Sequence, residues 1–289
     1  MKQMVDGTLI ITTFTELEQQ RDVLGIEPSI QFLPASRKTS RFESHEGYDL
    51  IFLHLPSEIQ PDRERQRITI YFRKDLLIFC CDHLDALNEI LLSQAGSLDA
   101  LALEQLLYTF FNKLTEDDNL SLEELDQEIT SLEEAFMTSA DERGEYFKRI
   151  IPLRKRLLAL KLYYDQLVDI AESIEDNENS LISEKSAKHL RILTRRMERL
   201  YGMVVDLQDY LSQVREGYQE QIEISMNKIM KLFTVITVIF LPLSLIASWY
   251  GMNLSMPEVQ SVYTYPVVIL LCVAVSSFSI FYFKRHDWF

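Results

Sequence analysis

The chain has 289 residues, a net charge of -15, a charged fraction of 25% and a hydrophobic fraction of 47%. The acidic excess excludes the usual nucleic-acid-binding protein, because contact with phosphates needs clustered Lys and Arg; cations are the more natural partners. Three cysteines are too few for a disulfide framework, which favours a reducing compartment.

Residues 1 to 115 predict a cytoplasmic α/β domain. The strand-like segments are apolar and rich in Ile, Phe and Tyr, namely Thr8 to Phe14, Tyr48 to Leu55, Ile68 to Phe72 and Leu76 to Cys81. Helical patterns follow from Leu84 to Ala95 and from Leu98 to Leu114. Cys80, Cys81 and His83 are close in sequence, but a strand places Cys80 on the opposite face from the other two, and no second ligand pair completes a zinc site. We therefore expect these residues to pack in the core.

Long helices are predicted for residues 116 to 231, and all of this part is expected to be cytoplasmic. Ser121 and Glu124 have the spacing of a capping box and predict a helix start at Ser121. Apolar residues then recur every three or four positions up to Leu167. The turn-like segment from Asp176 to Ser180 separates them from a second heptad pattern, which runs without a Pro or a Gly cluster toward the first apolar segment. The pattern predicts one continuous stalk helix.

An acidic block occupies residues 116 to 145, with twelve acids against the single base Arg143. One interpretation is that these acids pair with bases of the stalk. Another is that they attract or sense divalent cations, which prefer carboxylate oxygens. The candidate sensing residues are Glu123, Glu124, Asp126, Glu128, Glu133 and Glu134.

Two uncharged segments, residues 232 to 250 and 265 to 283, each have nineteen residues. As a helix, each covers roughly 28 Å of a hydrocarbon layer about 30 Å thick, so both are predicted to span a membrane. The connecting loop, residues 251 to 264, contains no Lys or Arg, whereas basic residues flank the outer ends and the tail at 284 to 289. The positive-inside rule then places both termini in the cytoplasm of a multi-pass protein of the cell membrane.

Two helices cannot enclose a polar path through a lipid bilayer, so a pore requires several copies of the chain. Along the first span a stripe recurs at helical spacing and is predicted to line the pore: Asn227, Met230, Thr234, Val238, Leu241 and Leu245. Thr and Ser hydroxyls of this span could instead bond back to their own helix. Pro242 predicts a local kink.

The loop sequence Tyr250-Gly251-Met252-Asn253, followed by Met256-Pro257-Glu258, resembles the signature of CorA-type magnesium transporters. The resemblance extends over the last sixty-five residues or so, and more loosely over the whole domain order. It implies a homopentamer with an α/β cytoplasmic domain, a funnel of long helices and two C-terminal membrane helices. It further implies a selectivity filter at Gly251, Met252 and Asn253, in which a ring of Asn253 carboxamides holds the hydrated ion.

The same resemblance implies pore constrictions at Asn227, Met230 and Leu241, a role for Glu258 in the outer loop, and a basic collar of Lys228, Lys231, Lys284 and Arg285. On the stalk, where family members often place an ion-sensing Asp, this chain has Arg191, Ile192 and Leu193. We therefore do not predict that ion-sensing site in this chain.

The function expected from the sequence is passive Mg2+ influx driven by the membrane potential, with Co2+ and Ni2+ as further candidate ions. No nucleotide-binding Gly-rich loop is present, no resident cofactor is expected, and the five His residues have no catalytic spacing, so an enzyme is not predicted. Two alternatives stay open: a Zn2+ transporter of the same superfamily, which could be proton-coupled, and a membrane-anchored scaffold.

Overall fold

A computed structural model describes residues 2–4, 6–28, 30–32, 39–55, 66–84, 87, 102–138, 143–252, 263–286 and 288. The chain divides into two compact units, Met1–Val214 and Arg215–Phe289. The first unit combines the α/β part with the long helices. Two hydrogen bonds join the α/β part to the long-helix part. The Ser40 amide donates to the Gln166 side chain at 2.6 Å, and the Gly47 amide donates to the Asn179 side chain at 3.2 Å.

The first unit contains a six-stranded sheet with the order β1-β2-β6-β5-β4-β3. Its strands are β1 (Lys2–Gln3), β2 (Thr8–Thr13), β3 (Arg41–His45), β4 (Tyr48–Leu55), β5 (Gln66–Arg73) and β6 (Leu76–Cys81). Strands β2 and β6 are parallel, with Thr8 opposite Leu76, and the other neighbours are antiparallel. The four predicted strands are confirmed. The edge strands β1 and β3 were not predicted, since β1 is two residues long and β3 contains one apolar residue, Phe42.

Strand β6 is the centre of the core, because all six of its residues are buried. Helix α1 (Phe14–Gln20) begins at a Thr13 cap and contributes Phe14 and Leu17 to the core, and helix α2 (Leu103–Leu114) contributes Phe110, whose ring centroid lies 5.0 Å from that of Phe79. The prediction of a helix from Leu84 to Ala95 lies mostly outside the described residues. The predicted helix from Leu98 begins at Leu103.

The cysteines of β6 pack in this core as expected. Cys80 and Cys81 are buried and free, and the Cys81 thiol donates to the His83 carbonyl at 3.2 Å. Burial raises the pKa of Cys81 to about 11 and also raises the pKa of Cys80. Within the described parts of the chain, no group of three or more His, Cys, Asp or Glu residues is arranged to hold a metal ion.

Three long helices follow: α3 (Asp118–Thr138), α4 (Arg143–Asp176) and α5 (Glu184–Tyr250). Asp118 of α3 is hydrogen-bonded to Tyr164 of α4, and Glu128 of α3 lies 3.9 Å from Arg156 of α4, so these two helices run antiparallel. Their apolar seams are buried, including Leu122, Leu125, Ile129 and Leu132 on α3 and Ile150, Leu153, Leu157 and Leu160 on α4. The predicted long helices are thus confirmed.

The predicted capping box is wrong. Helix α3 begins at Asp118 rather than Ser121, and the Ser121 amide donates to the Asp117 carbonyl at 3.3 Å inside the first turn. The start lies earlier because Asp118 is buried against α4 and fixes the chain three residues before the Ser hydroxyl.

The stalk is one continuous helix, as predicted. It follows a turn in which Asn177 adopts a φ of 50°, a left-handed conformation that Asn tolerates better than most residues, and it continues through Pro242 to Tyr250. The kink at Pro242 stays a prediction. Helix α6 (Thr264–Arg285) covers the second predicted span. In the 18-residue windows that qualify as membrane spans, α5 and α6 are both 6% buried, which distinguishes them from the core helices of a soluble protein.

Candidate cation pathway

The predicted pore stripe lies on the C-terminal half of α5. At about 100° of rotation per residue, its six members fall within roughly 80° of the helix circumference. All of them are exposed in the single chain: Asn227, Met230, Thr234, Val238, Leu241 and Leu245. Val235, one residue from Thr234, is instead buried at 2% exposure. The stripe is therefore separate from the face that packs within the second unit.

Hydroxyl groups in this half of α5 bond to their own helix. The Thr234 hydroxyl donates to the Met230 carbonyl and the Thr237 hydroxyl donates to the Phe233 carbonyl, each at 2.8 Å. This is the arrangement that the sequence left as the alternative to a polar pore surface. The two oxygens still carry lone pairs that can accept hydrogen bonds from water. Thr234 can thus present an acceptor to a hydrated ion without losing its own bond.

Gly251 and Met252, the first part of the predicted filter, follow directly after the last residue of α5 and bond to its last turn. The Gly251 amide donates to the Ala247 carbonyl at 2.9 Å, and the Met252 amide donates to the Trp249 carbonyl at 3.4 Å. A Cβ atom on Gly251 would lie 3.0 Å from the Ala247 carbonyl oxygen, a close approach that favours Gly here. Met252 is 50% exposed. Asn253 and Glu258 lie outside the described residues.

The predicted basic collar lies at one end of the helix pair in the second unit. Lys228, Lys231, Lys284 and Arg285 are all exposed. The Lys231 ammonium lies 6.0 Å from the centroid of the Trp288 ring, and that ring lies 5.3 Å from the ring of buried Phe283. These contacts bring the start of the α5 span and the end of α6 together.

The acidic residues of α3 are spread around the helix. Glu128 pairs with Arg156 of α4, and Glu133 accepts a hydrogen bond from the Tyr210 hydroxyl of α5 at 2.6 Å. Four others are exposed: Glu123, Glu124, Asp126 and Glu134. The partner of Glu128 thus comes from α4 rather than from the stalk bases that the pairing hypothesis named. Arg191 of the stalk contacts Glu175 of α4 at 2.7 Å.

A family comparison decides what this architecture is. The sequence model of the family described as "CorA-like Mg2+ transporter protein" matches residues 9–285, which is nearly the whole chain. The chain belongs to the CorA-like Mg2+ transporter family. The family comprises transporters rather than enzymes. The prediction of a CorA-type family member, made from the loop motif and the two spans, is confirmed.

Curated CorA relatives and solved CorA structures are similar to the chain. It is 27% identical over 208 residues to the Cobalt/magnesium transport protein CorA of Thermotoga maritima, which covers 72% of this chain and 59% of that protein. It is 46% identical over 81 residues to the Magnesium transport protein CorA of Haemophilus influenzae, covering 28% of this chain and 25% of that one. The matched regions thus span less than two thirds of these relatives.

A solved structure has the same fold. The CorA magnesium transporter of Methanocaldococcus jannaschii superposes with a TM-score of 0.80 at 22% identity, covering 95% of this chain and 88% of that one. The α/β domain, the long helices and the two C-terminal apolar helices are therefore the CorA fold.

At the stalk position where the sequence lacks the CorA-type sensing Asp, Ile192 is 60% exposed and Leu193 is buried. Arg191 and Arg195 line a depression between α4 and α5 together with Glu172, Glu175, Asp176 and Glu198. Four carboxylates and two arginines line this depression, so its surface carries both signs of charge.

Sequence reasoning missed the residues that hold the α4–α5 turn against the sheet. The Asn179 amide nitrogen donates to the Ser44 hydroxyl, the His45 carbonyl and the Asp49 carboxylate, and the Asn179 side-chain oxygen accepts from the Gly47 amide. Glu104 of α2 accepts from both the amide and the hydroxyl of Ser183, just before α5. The Asn-rich turn was visible in the sequence, but partners some 130 positions away were not.

Proposed function

We propose that the chain is a divalent-cation channel that carries Mg2+ into the cytoplasm, with Co2+ and Ni2+ as further candidate ions. The observation that carries the proposal is the last nineteen residues of α5, 232 to 250, which are uncharged and of spanning length. The 18-residue apolar window of this helix is only 6% buried within one chain. Such a surface needs lipid on one side and other copies of the chain on the other. Membership of the CorA-like family supports the same conclusion.

The proposed assembly is a homopentamer in the cell membrane, with both termini in the cytoplasm. The α5 stripe lines the pore, and Met230, Val238, Leu241 and Leu245 form apolar rings that control passage by dewetting. The other two stripe residues, Asn227 and Thr234, present oxygens to the water shell of the ion. Assignment of the pentamer rests on resemblance to the family.

Selectivity is proposed to reside in the Gly251-Met252-Asn253 segment. Mg2+ loses its water reluctantly, so a ring of neutral Asn253 carboxamides can hydrogen-bond the hydration shell without the tight hold of carboxylates. Glu258 in the same loop would attract cations to the mouth. At the cytoplasmic end, the four bases of the collar would oppose cation passage: Lys228, Lys231, Lys284 and Arg285. Their repulsion must be offset by neighbouring acids or by the membrane potential.

The driving force is the membrane potential. A divalent ion gains about 4.6 kcal/mol per 100 mV of inside-negative potential, which is sufficient for uptake without a nucleotide. The acidic helix α3 is proposed to raise the local cation concentration around the first unit. The proposed effect is a diffuse electrostatic attraction of cations by the acids of α3.

The proposal is tested by Mg2+ and, separately, Zn2+ uptake into proteoliposomes that contain the full chain under an inside-negative potential. Native protein should take up Mg2+, and Asn253→Ala should abolish most of that uptake. Gln260→Ala, which removes another carboxamide from the same loop, is the matched control. Zn2+ uptake that follows an imposed proton gradient would favour the zinc alternative, and absence of flux for both ions would favour the scaffold.

A further inference from the structure

Helix α4 carries two blocks of opposite charge along its length. Residues 146 to 164 contain six bases and no acid, whereas residues 165 to 176 contain five acids and no base. Leu158 and Leu162, near the border of the two blocks, are 63% and 50% exposed. Aliphatic side chains that are exposed and rimmed by charges are typical of an interaction surface. We name six exposed residues the α4 outer face: Arg154, Lys155, Leu158, Leu162, Asp165 and Asp169.

Helix α5 has the same order of charge along its sequence within the first unit. Residues 185 to 199 contain six bases against one acid, and residues 200 to 214 contain two acids and no base. Gly202 lies between the two blocks and is half-buried, whereas the charged residues around it are exposed. We name five residues the α5 outer face: Arg195, Arg199, Gly202, Asp206 and Asp209.

Both faces lie opposite the buried seams of their own helices. At about 100° of rotation per residue, the α4 outer face lies roughly 120° to 180° around the helix from buried Leu160. The α5 outer face lies roughly 140° to 180° from buried Val204. The α5 side chains that contact other helices border this face on its two sides, Arg191 toward α4 and Tyr210 toward α3. The packing of the first unit therefore leaves both faces open to solvent.

One ion pair fixes the heights of the two faces. Arg191 of α5 contacts Glu175 of α4 across the turn between the helices, so these residues are level and the two helices run antiparallel. At 1.5 Å of rise per residue, two pairs of face residues then lie within about 3 Å of the same height. These pairs are Leu158 with Asp206, and Asp169 with Arg199.

The contacts of α3 give the same register. Glu128 of α3 lies 3.9 Å from Arg156 of α4, and the Thr130 hydroxyl of α3 lies 3.3 Å from the Tyr210 hydroxyl of α5. These contacts place Arg156 within about 3 Å of the height that the Arg191 pair gives. The basic block of α4 is therefore level with the acidic part of the α5 outer face. The acidic block of α4 is level with its basic part.

Gly202 provides a second reason to expect another helix at this surface. A Cβ atom at this position would have no other heavy atom within 4 Å, so packing within the chain does not require glycine there. Glycine is unfavourable in the interior of a helix, and close approach of another backbone is a common reason for its presence. Leu162 of the α4 outer face lies within about 3 Å of the height of Gly202. This leucine is the side chain best placed to pack against the glycine of another copy.

From these observations we propose that the α4 outer face of one copy docks on the α5 outer face of the next copy. A rotation about an axis parallel to the helices keeps every residue at its height, so the two faces meet with opposite charges along the whole contact. A partner of one charge would match one half of either face and repel the other half, whereas a second copy matches both. Because each copy offers both faces, the contact repeats head to tail. The inference rests on the proposed homo-oligomer and adds to it a surface outside the pore helices.

Disulfide cross-linking in the full chain tests the contact, in a Cys272→Ser background where Cys80 and Cys81 are buried. Oxidation with copper phenanthroline in membranes should give a ladder of products up to the complete ring in two matched variants. These are Leu158→Cys with Asp206→Cys, and Asp169→Cys with Arg199→Cys.

The crossed pairs of the same four positions are the control: Leu158→Cys with Arg199→Cys, and Asp169→Cys with Asp206→Cys. Their members differ in height by roughly 13 Å, which a disulfide cannot bridge, so neither should give a ladder. Because all four variants use the same positions, differences in thiol exposure cannot account for the result.

A charge exchange provides the second measurement, with the ladder of the first matched pair as the readout. Asp165→Lys with Asp169→Lys should remove most of the ladder, because like charges then face each other. Adding Arg195→Glu with Arg199→Glu should restore it. A ladder that the first two changes leave at full strength would contradict the proposed pairing.

Gly202→Leu provides the third measurement. It should remove most of the same ladder without lowering the unfolding temperature of the first unit, because the new side chain starts in open space within its own chain. A full ladder in Gly202→Leu would show that α4 of the next copy does not approach α5 at this point.

The remaining outcomes separate the contact from the channel function. An intact oligomer that takes up Mg2+ but gives no ladder, or equal ladders from matched and crossed pairs, would overturn the contact and leave the channel proposal standing. A chain that is monomeric in light scattering would overturn both. Ladders from the matched pairs alone in protein that takes up no Mg2+ would support the contact and contradict the channel. Quenching of a fluorophore on Leu158→Cys by spin-labelled lipid headgroups would identify the bilayer as the occupant and overturn the contact.

Discussion

Two parts of the same helix are surrounded by different environments. In the first unit, Leu200 and Val204 of α5 are fully shielded from solvent, whereas in the second unit Leu241 and Leu245 of the same helix are 63% and 64% exposed. The first part obtains its stabilisation from packing within the chain. The second has the same kind of residue but little intramolecular burial, so its stability must come from lipid and from other copies. The comparison shows that a helix can be continuous while its energetics change along its length.

The strongest test of this comparison replaces one leucine by alanine in each part of the helix. Leu200→Ala should lower the free energy of unfolding of the first unit by about 2 to 5 kcal/mol, because it leaves a cavity in a packed seam. Leu245→Ala should leave that unit unchanged, since its side chain has little intramolecular contact. The change is measured by thermal unfolding of the detergent-solubilised chain, followed by near-ultraviolet circular dichroism. Equal losses of unfolding free energy in the two variants would contradict the difference in environment between the two parts of the helix.

A buried acid should make the first unit sensitive to pH. Burial raises the pKa of Asp118 from 3.8 to about 6, against the opposing hydrogen bond from Tyr164, and the neighbouring charge of Asp117 adds to the rise. The folded state therefore holds this proton more tightly than the unfolded state. The resulting stabilisation is complete below pH 3.8 and is lost as the pH rises through 6.

Asp118→Asn should stabilise the first unit at pH 8 by about 2 to 3 kcal/mol and flatten the dependence of its unfolding temperature on pH between about 4 and 7. Asp126→Asn, which removes an exposed acid from the same helix, is the control and should leave the slope in place. A slope that survives in Asp118→Asn would assign the pH dependence to another group.

A smaller effect is expected at the α4–α5 turn. Asn179→Ala removes the donors to Ser44, His45 and Asp49, so it should cost about 1 to 3 kcal/mol, confined to the turn and the β3–β4 hairpin. Hydrogen exchange should show faster exchange of the Gly47 amide, with the core of β6 unchanged. Glu178→Ala, at the exposed neighbouring position, is the control. Uniform acceleration across the sheet would mean that the turn stabilises the whole unit.

The elements that depend on local pattern were predictable. Strands β2, β4, β5 and β6 follow apolar runs, and α5 follows a heptad that no Pro or Gly cluster interrupts before the first span. Strand β3 was not predictable, because a polar edge strand has no such pattern and is defined by its pairing with β4. The start of α3 was placed at Ser121 because local capping chemistry favoured it, whereas contact with a distant helix fixes Asp118.

Charge was informative about partners but not about burial. The sequence grouped Asp118 with the other acids of residues 116 to 145 in one acidic block, yet this side chain is only 3% exposed. Its burial depends on Tyr164, some 46 positions later, and periodicity within one helix does not show which charged residue faces another helix. Spacing alone was sufficient to predict that the six residues of the α5 stripe share one face of a helix, since they recur at intervals of three and four. The role of this face as a pore lining stays a proposal.

The most direct test of the channel is whether Mg2+ passes along the α5 stripe. In a Cys272→Ser background, Val238→Cys lies on the stripe, and Phe240→Cys lies about 200° away around the helix. We predict that a positively charged methanethiosulfonate reagent blocks Mg2+ uptake by proteoliposomes containing Val238→Cys and leaves uptake through Phe240→Cys unchanged. Uptake that persists in modified Val238→Cys, or that is lost equally in both variants, would contradict a pore lined by this face of α5.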